Sequence, residues 1–307
     1  MKILLTGASG FLGRALTPKL IERGDVVLGL SRHPPEEDKN LIPLAGDVTK
    51  PNLGLGEVPK GIKAVYHLAA IHHLGNDRNG NIWETNVTGT KNVIQFCKDH
   101  NIEKLYFCST AYTQGRNPYE KSKAECELLV SRSGIPHVTI FKPSVVMGTK
   151  ENPYPGHFSQ FAVLAIRVHH RAEVIRRKLE GTLRLPVLMP VLRFRGRPEG
   201  VLNMVSVDDV VSGIMRIKRR GRVWLTHPNP PTIKQLFDWI SEFALLDMRM
   251  EVDFRPTPIE LAFRRMASAF APYANGDDFP SDLRCSPITK EFVQENIMRA
   301  FLTIDKG

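Results

Sequence analysis

"KILLTGASGFLG", Lys2 to Gly13, decides the fold. "KILLT" is a short continuous apolar run closed by glycine, as expected of a strand buried on both faces. Gly7, Gly10 and Gly13 follow in GxxGxxG spacing, and Phe11 and Leu12 open a helical pattern that runs through "FLGRALTPKLIERG". Strand, glycine turn and helix in that order aim backbone N–H groups at one point, where the helix N-terminus holds an anion. Gly7, Ser9, Gly10, Phe11, Leu12 and Gly13 are therefore the expected pyrophosphate contacts of a dinucleotide. A glycine-rich turn without a ligand is the blander alternative.

Outward from that stretch the chain alternates. "DVVLGLSR", "NLIPLAGDVT", "IKAVYHLAA", "EKLYFCST" and "HVTIFKPSVV" have strand character. "NVTGTKNVIQFCKDHN" and "NPYEKSKAECELLVSRSG" have helical spacing between them. Alternating β and α with buried strands predicts an α/β fold with a parallel, doubly wound sheet. After about Val146 the pattern turns mostly helical, with short strands interleaved. This predicts a dinucleotide-binding domain over 1–146, and last sheet elements interleaved with a smaller helical substrate cap over 147–307. "IELAFRRMASAFAPYA" is expected to be a core helix of that cap, with a membrane surface as its alternative.

The chain of 307 residues is large enough for a sizeable core. Its four cysteines form no CxxC pair and predict reduced thiols in a cytoplasmic protein, with no disulfide framework. No secretory leader and no apolar run of membrane-spanning length are evident. The paired histidines His72–His73 and His169–His170 lack neighbouring ligands at metal spacing, so no metal is expected. The formal charge is +10, and residues 167–222 carry 14 Lys/Arg against 5 Asp/Glu, a net of +9. Such a region favours a polyanionic partner, but no stacking aromatics or DNA-binding motif point to nucleic acid.

The end of the second strand sets the choice of dinucleotide. A carboxylate there would accept from a ribose 2′-hydroxyl; this chain has Ser31 and Arg32 instead. A guanidinium pairs with a 2′-phosphate, so NADP (as NADPH) is expected over NAD. Asp47 and Val48 in "AGDVT" are placed to flank the adenine. Leu68, Ala69 and Ala70 end the fourth strand, where small residues let a cofactor pass close.

"CSTAYTQGRNPYEKSK", Cys108 to Lys123, carries the chemistry. Hydride arrival at a carbonyl leaves an alkoxide that must be protonated. A free tyrosine, with a pKa of about 10, is a poor base at neutral pH. An ammonium at i+4 on the same helix face stabilises its phenolate. A hydroxyl aimed at the substrate oxygen stabilises developing charge. Tyr119, Lys123 and the Ser109–Thr110 pair are the matching side chains.

With "TGASGFLG", "GDVT", "HLAA", "NVTGT", "STAY", "YEKSK" and "KPSVVMG" in this order, the sequence resembles an extended short-chain dehydrogenase/reductase of the epimerase/dehydratase superfamily, with its Rossmann-type fold. The resemblance implies Tyr119 as general acid/base and Lys123 as the cation that lowers its pKa and holds the nicotinamide ribose. It implies Thr110, rather than Ser109, on the substrate carbonyl. Asn86 supports a proton relay, and Pro143 and Ser144 border the nicotinamide, as do Ser109, Tyr119 and Lys123. Thr110 and Tyr119 are only nine positions apart, closer than in most extended members. Lys142 stands where many relatives have arginine.

"KPSVVMGTKENPYPGHF", "NMVSVDDVV" and "WLTHPNPPTIKQLFDWI" look most like the thioester reductase or fatty acyl reductase branch. That implies NADPH-dependent reduction of a fatty-acyl thioester or aldehyde, with acyl-CoA or an acyl carrier protein as the delivering partner. Peripheral membrane contact and a homodimer through two helices of the first half belong to the same expectation. Two alternatives stay open: a nucleotide-sugar epimerase, dehydratase or ketoreductase, and a non-catalytic NADP-binding regulator.

Overall fold

The computed structural model describes residues 1–304 and divides into two units. Unit 1 comprises Met1–Ser144, Val207–Thr226 and Pro280–Arg284; unit 2 comprises Val145–Ser206, His227–Phe279 and the chain from Cys285.

Unit 1 is built on seven parallel strands: β1 (Lys2–Thr6), β2 (Val26–Ser31), β3 (Leu41–Ala45), β4 (Ile62–His67), β5 (Lys104–Cys108), β6 (His137–Pro143) and β10 (Gly221–Leu225). Their order is β10-β6-β5-β4-β1-β2-β3. Ile3, Leu4 and Leu5 of β1 are fully buried, as a central strand covered on both faces requires. Pro43 is tolerated because β3 is an edge. Helices α1 (Phe11–Glu22), α2 (Asn81–Trp83), α3 (Gly89–Asp99), α4 (Pro118–Ser131) and α6 (Val207–Arg216) complete the unit. The strand order reverses beside β1, whose neighbours are β2 and β4. A crevice beyond the carboxyl ends of the strands at such a point is where doubly wound sheets take ligands.

The helix predicted from Asn86 onward departs from expectation at its start. A π-turn over Glu84–Thr88 precedes α3, and Asn86 sits inside it. α4 starts as its sequence dictates. Asn117 accepts from the Glu120 N–H at 2.9 Å, and Pro118 occupies the first turn, where its missing N–H costs nothing.

Unit 2 holds α5 (His157–Leu183), α7 (Ile233–Ala244), α8 (Pro258–Met266) and α9 (Lys290–Ile304) with two small parallel sheets. One pairs β7 (Val145–Met147) with β9 (Met204–Ser206), the other β8 (Val191–Arg195) with β11 (Asp247–Glu251). Its core gathers Phe161, Phe194, Phe237 and Phe263, with the Phe161 and Phe194 rings 5.5 Å apart edge to face. Phe263 and Ala267 put the apolar stripe of "IELAFRRMASAFAPYA" into this core, leaving Arg264 and Arg265 exposed. The basic stretch is divided, residues 167–206 lying in unit 2 and 207–222 in unit 1. Much of its charge is paired: Arg176 with Glu173 and Glu180, Arg193 with Glu260, and Arg219 with Asp282. All four cysteines are free thiols. Among the described residues, no helix is long and apolar enough to cross a membrane, and no cluster of three metal-ligating side chains occurs.

Candidate active site

The glycine turn is shaped by contacts that exclude side chains. Gly7 has φ +74°, and a Cβ there would meet the Ala69 N at 2.7 Å. A Cβ on Gly13 would be driven into the carbonyls of Gly7 and Ala8, so α1 packs tightly against the turn. Gly10 is the N-cap of α1 and supplies no side-chain cap; the first turn holds no acidic residue. The first N–H groups of α1 are thus left for an anion. The turn is pinned to the sheet by Gly7 N–H donating to Leu30 O at 2.9 Å. Ser9 carries the Arg14 guanidinium on its carbonyl at 2.7 Å.

Beyond β2, the Ser31 hydroxyl donates to His33 O at 2.7 Å, and the exposed Arg32 side chain is open to solvent. Burial pushes the Asp47 carboxyl up, but donation from the Thr49 N–H and hydroxyl and the charges of Arg32 and Lys50 outweigh it. The result lies below the usual carboxylate range. Val48 is buried against Gly89, where any side chain would collide with Val48 Cγ2. Leu68 N–H donates to Thr6 O and Ala69 N–H to Thr6 Oγ1, which hold the β4 end against the glycine turn.

His67 is a feature that sequence inspection missed; its signal is a lone polar side chain ending an apolar strand. It is 1% exposed between Thr6 Oγ1 at 2.8 Å and Thr90 Oγ1 at 3.1 Å. Thr90 spends its proton on Asn86 O at 2.6 Å, so it accepts from His67 Nε2–H, and Nδ1 accepts from the Thr6 hydroxyl. Burial, and secondarily the Lys123 charge, push the imidazole down to about 3. A neutral histidine here stabilises the fold fully above its unfolded value near 6.5. That stability is lost as pH falls from 6.5 towards 3, because only the unfolded chain binds the proton. His67→Gln is expected to flatten acid unfolding: the urea midpoint should fall less between pH 7 and pH 4 in the variant than in the parent.

Of the proton-transfer candidates, Lys123 ties α4 to the carboxyl end of β5. Lys123, buried on α4, donates from Nζ to Cys108 O at 2.8 Å, one residue before Ser109–Thr110. It lies over the Phe107 ring at 4.9 Å. Burial lowers its pKa more than the neighbouring Cys108, Cys126 and Glu127 raise it. Tyr119, four residues earlier, is buried with its ring 4.6 Å from that of His72. Asn86 clamps this corner: its Oδ1 accepts from Ile71 N at 2.8 Å, and its Nδ2 donates to Ser122 Oγ at 2.8 Å. Ser122 in turn donates to Tyr119 O at 2.7 Å.

The two hydroxyls before the loop are treated differently. Ser109 donates to Glu127 Oε1 at 2.6 Å and is committed there. Thr110 accepts from Tyr112 N at 3.2 Å and reaches Pro143 O only at 3.5 Å, a distance at which little is gained. Its proton is therefore the one free to turn to a substrate. Glu127 also pairs with Lys142, 1% exposed on β6, and with the half-exposed Arg222 on β10. Lys142 caps the Trp224 ring at 5.1 Å. Of this network Ser109 and Lys142 stood out in the sequence. Glu127 had one signal, standing four residues after Lys123 on the same helix face. Next to Pro143, the buried Ser144 Oγ has no hydrogen-bond partner. An uncapped helix N-terminus, a cradle that admits no Cβ and an orphaned hydroxyl beside the strand ends fit a dinucleotide.

Over 119 residues the chain is 39% identical to a 2-alkyl-3-oxoalkanoate reductase of Stenotrophomonas maltophilia (strain K279a), covering 36% of this chain and 33% of that protein. It thus spans about a third of that relative's length. A putative dihydroflavonol 4-reductase of Synechocystis is 26% identical over 246 residues, 72% of this chain and 64% of that one. Among solved structures, the terminal R domain from the myxalamid PKS-NRPS pathway superposes with a TM-score of 0.68 at 20% identity, covering 100% of this chain and 91% of that one. UDP-glucose 4-epimerase of Thermotoga maritima superposes with a TM-score of 0.65 at 16% identity, covering 99% and 100%. At these identities the structures report a shared fold. Residues 3–221 match the NAD dependent epimerase/dehydratase family, and the chain belongs to it: an extended short-chain dehydrogenase/reductase, of a family of NAD(P)-dependent enzymes.

Proposed function

We propose that this protein is an NADPH-dependent carbonyl reductase whose substrate is a fatty-acyl thioester or aldehyde. The observation that carries the reading is Lys123, buried without a carboxylate hydrogen bond, held on Cys108 O and four residues after Tyr119. A bound reduced nicotinamide supplies the hydride. Thr110 donates its free proton to the substrate oxygen and Tyr119 protonates that oxygen as it becomes an alkoxide. Lys123 stabilises the phenolate left behind. With a thioester, one hydride and one proton convert acyl and sulfur groups to aldehyde and thiol. Asn86, through Ser122, fixes the start of α4 and so the height of Tyr119. Gly7, Gly10 and Gly13 hold the pyrophosphate, Asp47 and Val48 border the adenine, and Ala69 and Ala70 allow the cofactor to pass.

The acyl substrate class is supported by the likeness to reductases, including the R domain of a PKS-NRPS pathway and a hybrid PKS-NRPS synthetase of Talaromyces variabilis, 27% identical over 240 residues. Loss of NADPH absorbance with a fatty acyl-CoA, its aldehyde and a UDP-hexose in parallel tests this reading. Turnover of either acyl substrate supports it; epimerisation of the UDP-hexose without net NADPH consumption selects the epimerase instead.

Arg32 gives the cofactor preference. The exposed guanidinium beyond β2 feels the Asp47 charge but is held in no salt bridge among the described residues, and it suits a 2′-phosphate. Arg32→Ala is expected to weaken NADPH binding by about 10- to 100-fold, as for a lost charge-assisted contact, and to leave NADH binding unchanged. Titration by nicotinamide fluorescence reads both.

A further inference from the structure

The apolar stripe of α5 runs past the core that it serves. Phe161, Ala165, Val168 and Ala172, spaced four, three and four residues apart, are buried in unit 2. The same stripe continues at matching spacing as Ile175, Leu179 and Leu183, which are exposed. Beyond the helix, Leu185, Leu188 and Met189 are exposed as well, Leu188 to 92%. This is a large apolar surface for water to cover.

The tip is preformed. Arg176 is bound by Glu173 and Glu180, its Nη1 also donates to Val187 O at 3.3 Å, and Val187 N donates to Glu180 Oε1 at 2.9 Å. Arg184, in the left-handed conformation with φ 54°, ends the helix and turns the chain back. His169 Nε2 lies 3.2 Å from Pro190 O at the far side of the loop. The acids of the segment are thus consumed internally. Arg171 and Lys178 stand four residues before and three after Ile175, on the flank of the stripe, and Arg184 stands at its end. All three are exposed and lack ion pairs.

We infer that the C-terminal half of α5 with the 184–190 loop is a peripheral docking surface for an anionic lipid bilayer. An apolar ridge enters the acyl boundary, and flanking cations meet the headgroups. A second copy of the chain would bring like charges together across the same ridge. An acidic protein partner would leave fully projecting side chains such as Leu188 without hydrocarbon around them. The inference does not depend on the reductase reading.

The test is co-sedimentation of the whole chain with vesicles of phosphatidylcholine, alone or mixed with phosphatidylglycerol. Binding to the mixed vesicles, weakened by salt, is the expected result. Leu185→Ser/Leu188→Ser should weaken it by about tenfold or more, and Lys178→Glu by at least about fivefold. Leu302→Ser, an equally exposed leucine on α9, should leave it unchanged. Every substituted side chain is exposed, so folding is expected to survive; circular dichroism checks this. No binding to anionic vesicles, or binding indifferent to both ridge and charge variants, overturns the inference. So does a dimer in light scattering that Leu185→Ser/Leu188→Ser dissolves, or capture of an acidic carrier protein that depends on Lys178 but not on Leu188.

Discussion

Tyr119→Phe is expected to lower kcat by about 10²- to 10⁴-fold, the range for losing a positioned general acid, while NADPH binding and thermal stability stay close to those of the parent. The ring remains, so its buried packing beside His72 is preserved while the phenolic hydroxyl, the proton donor, is removed. Lys123→Met should act differently. It removes the cation that favours the phenolate, so the tyrosine becomes a weaker acid: the rate of reduction should drop, hold level through neutral pH and fall only as the tyrosine nears its ordinary ionisation at about 10. A steady-state pH profile of both variants separates a proton donor from a general packing residue: Tyr119→Phe gives a remnant with no alkaline fall, Lys123→Met one that falls at about pH 10. Equal activity of Tyr119→Phe and parent would sink the assigned role.

Glu127→Ala is expected to destabilise the protein by about 3–5 kcal/mol, the cost of leaving one partner of a buried pair uncompensated. Lys142 is nearly inaccessible, so its ammonium would have no water to turn to. Already in the parent, burial lowers the Lys142 pKa more than Glu127 restores it, with Arg222 adding to the depression. A depressed lysine penalises the folded state fully below its folded value, and the penalty is relieved as pH rises towards the ordinary 10.5. The deficit of Glu127→Ala should therefore shrink between pH 7 and pH 10 in urea unfolding. The double change Glu127→Leu/Lys142→Met should recover much of it, since an apolar pair of similar volume replaces two buried charges. A catalytic consequence follows as well. Ser109 loses its acceptor on Glu127, and the β5 end that carries Thr110 loosens.

The first unit was legible because its strands are fully covered and read as unbroken apolar runs. "KILLT", "VVLGLS" and "IKAVYH" became β1, β2 and β4 nearly residue for residue. β8 and β11 were not legible. "VLRFR" and "DMRME" alternate apolar side chains with arginines and acids, and they pair with each other across more than fifty residues. Arg193 is then satisfied by Glu260, which no local pattern foretells.

The same divide runs through the site. Tyr119 and Lys123 share a helix face, so their spacing drew notice, and the family resemblance gave them their expected roles. Glu127 and Lys142 meet only when α4 packs on β6, and His67 finds Thr6 and Thr90 only across the sheet and α3. Ser109 and Thr110 look interchangeable in "CST"; the difference is made by Glu127, which takes one hydroxyl and leaves the other.

Transfer of deuterium from NADPH labelled at nicotinamide C4 tests the central claim most directly. The protein is incubated with labelled cofactor and a fatty acyl-CoA or aldehyde, and the product is weighed by mass spectrometry. One deuterium on the former carbonyl carbon for each cofactor oxidised, absent with Tyr119→Phe, is the result expected of a carbonyl reductase working through Tyr119 and Lys123. NADPH binding without label in any acyl product would contradict it, leaving a dinucleotide-binding fold put to another use.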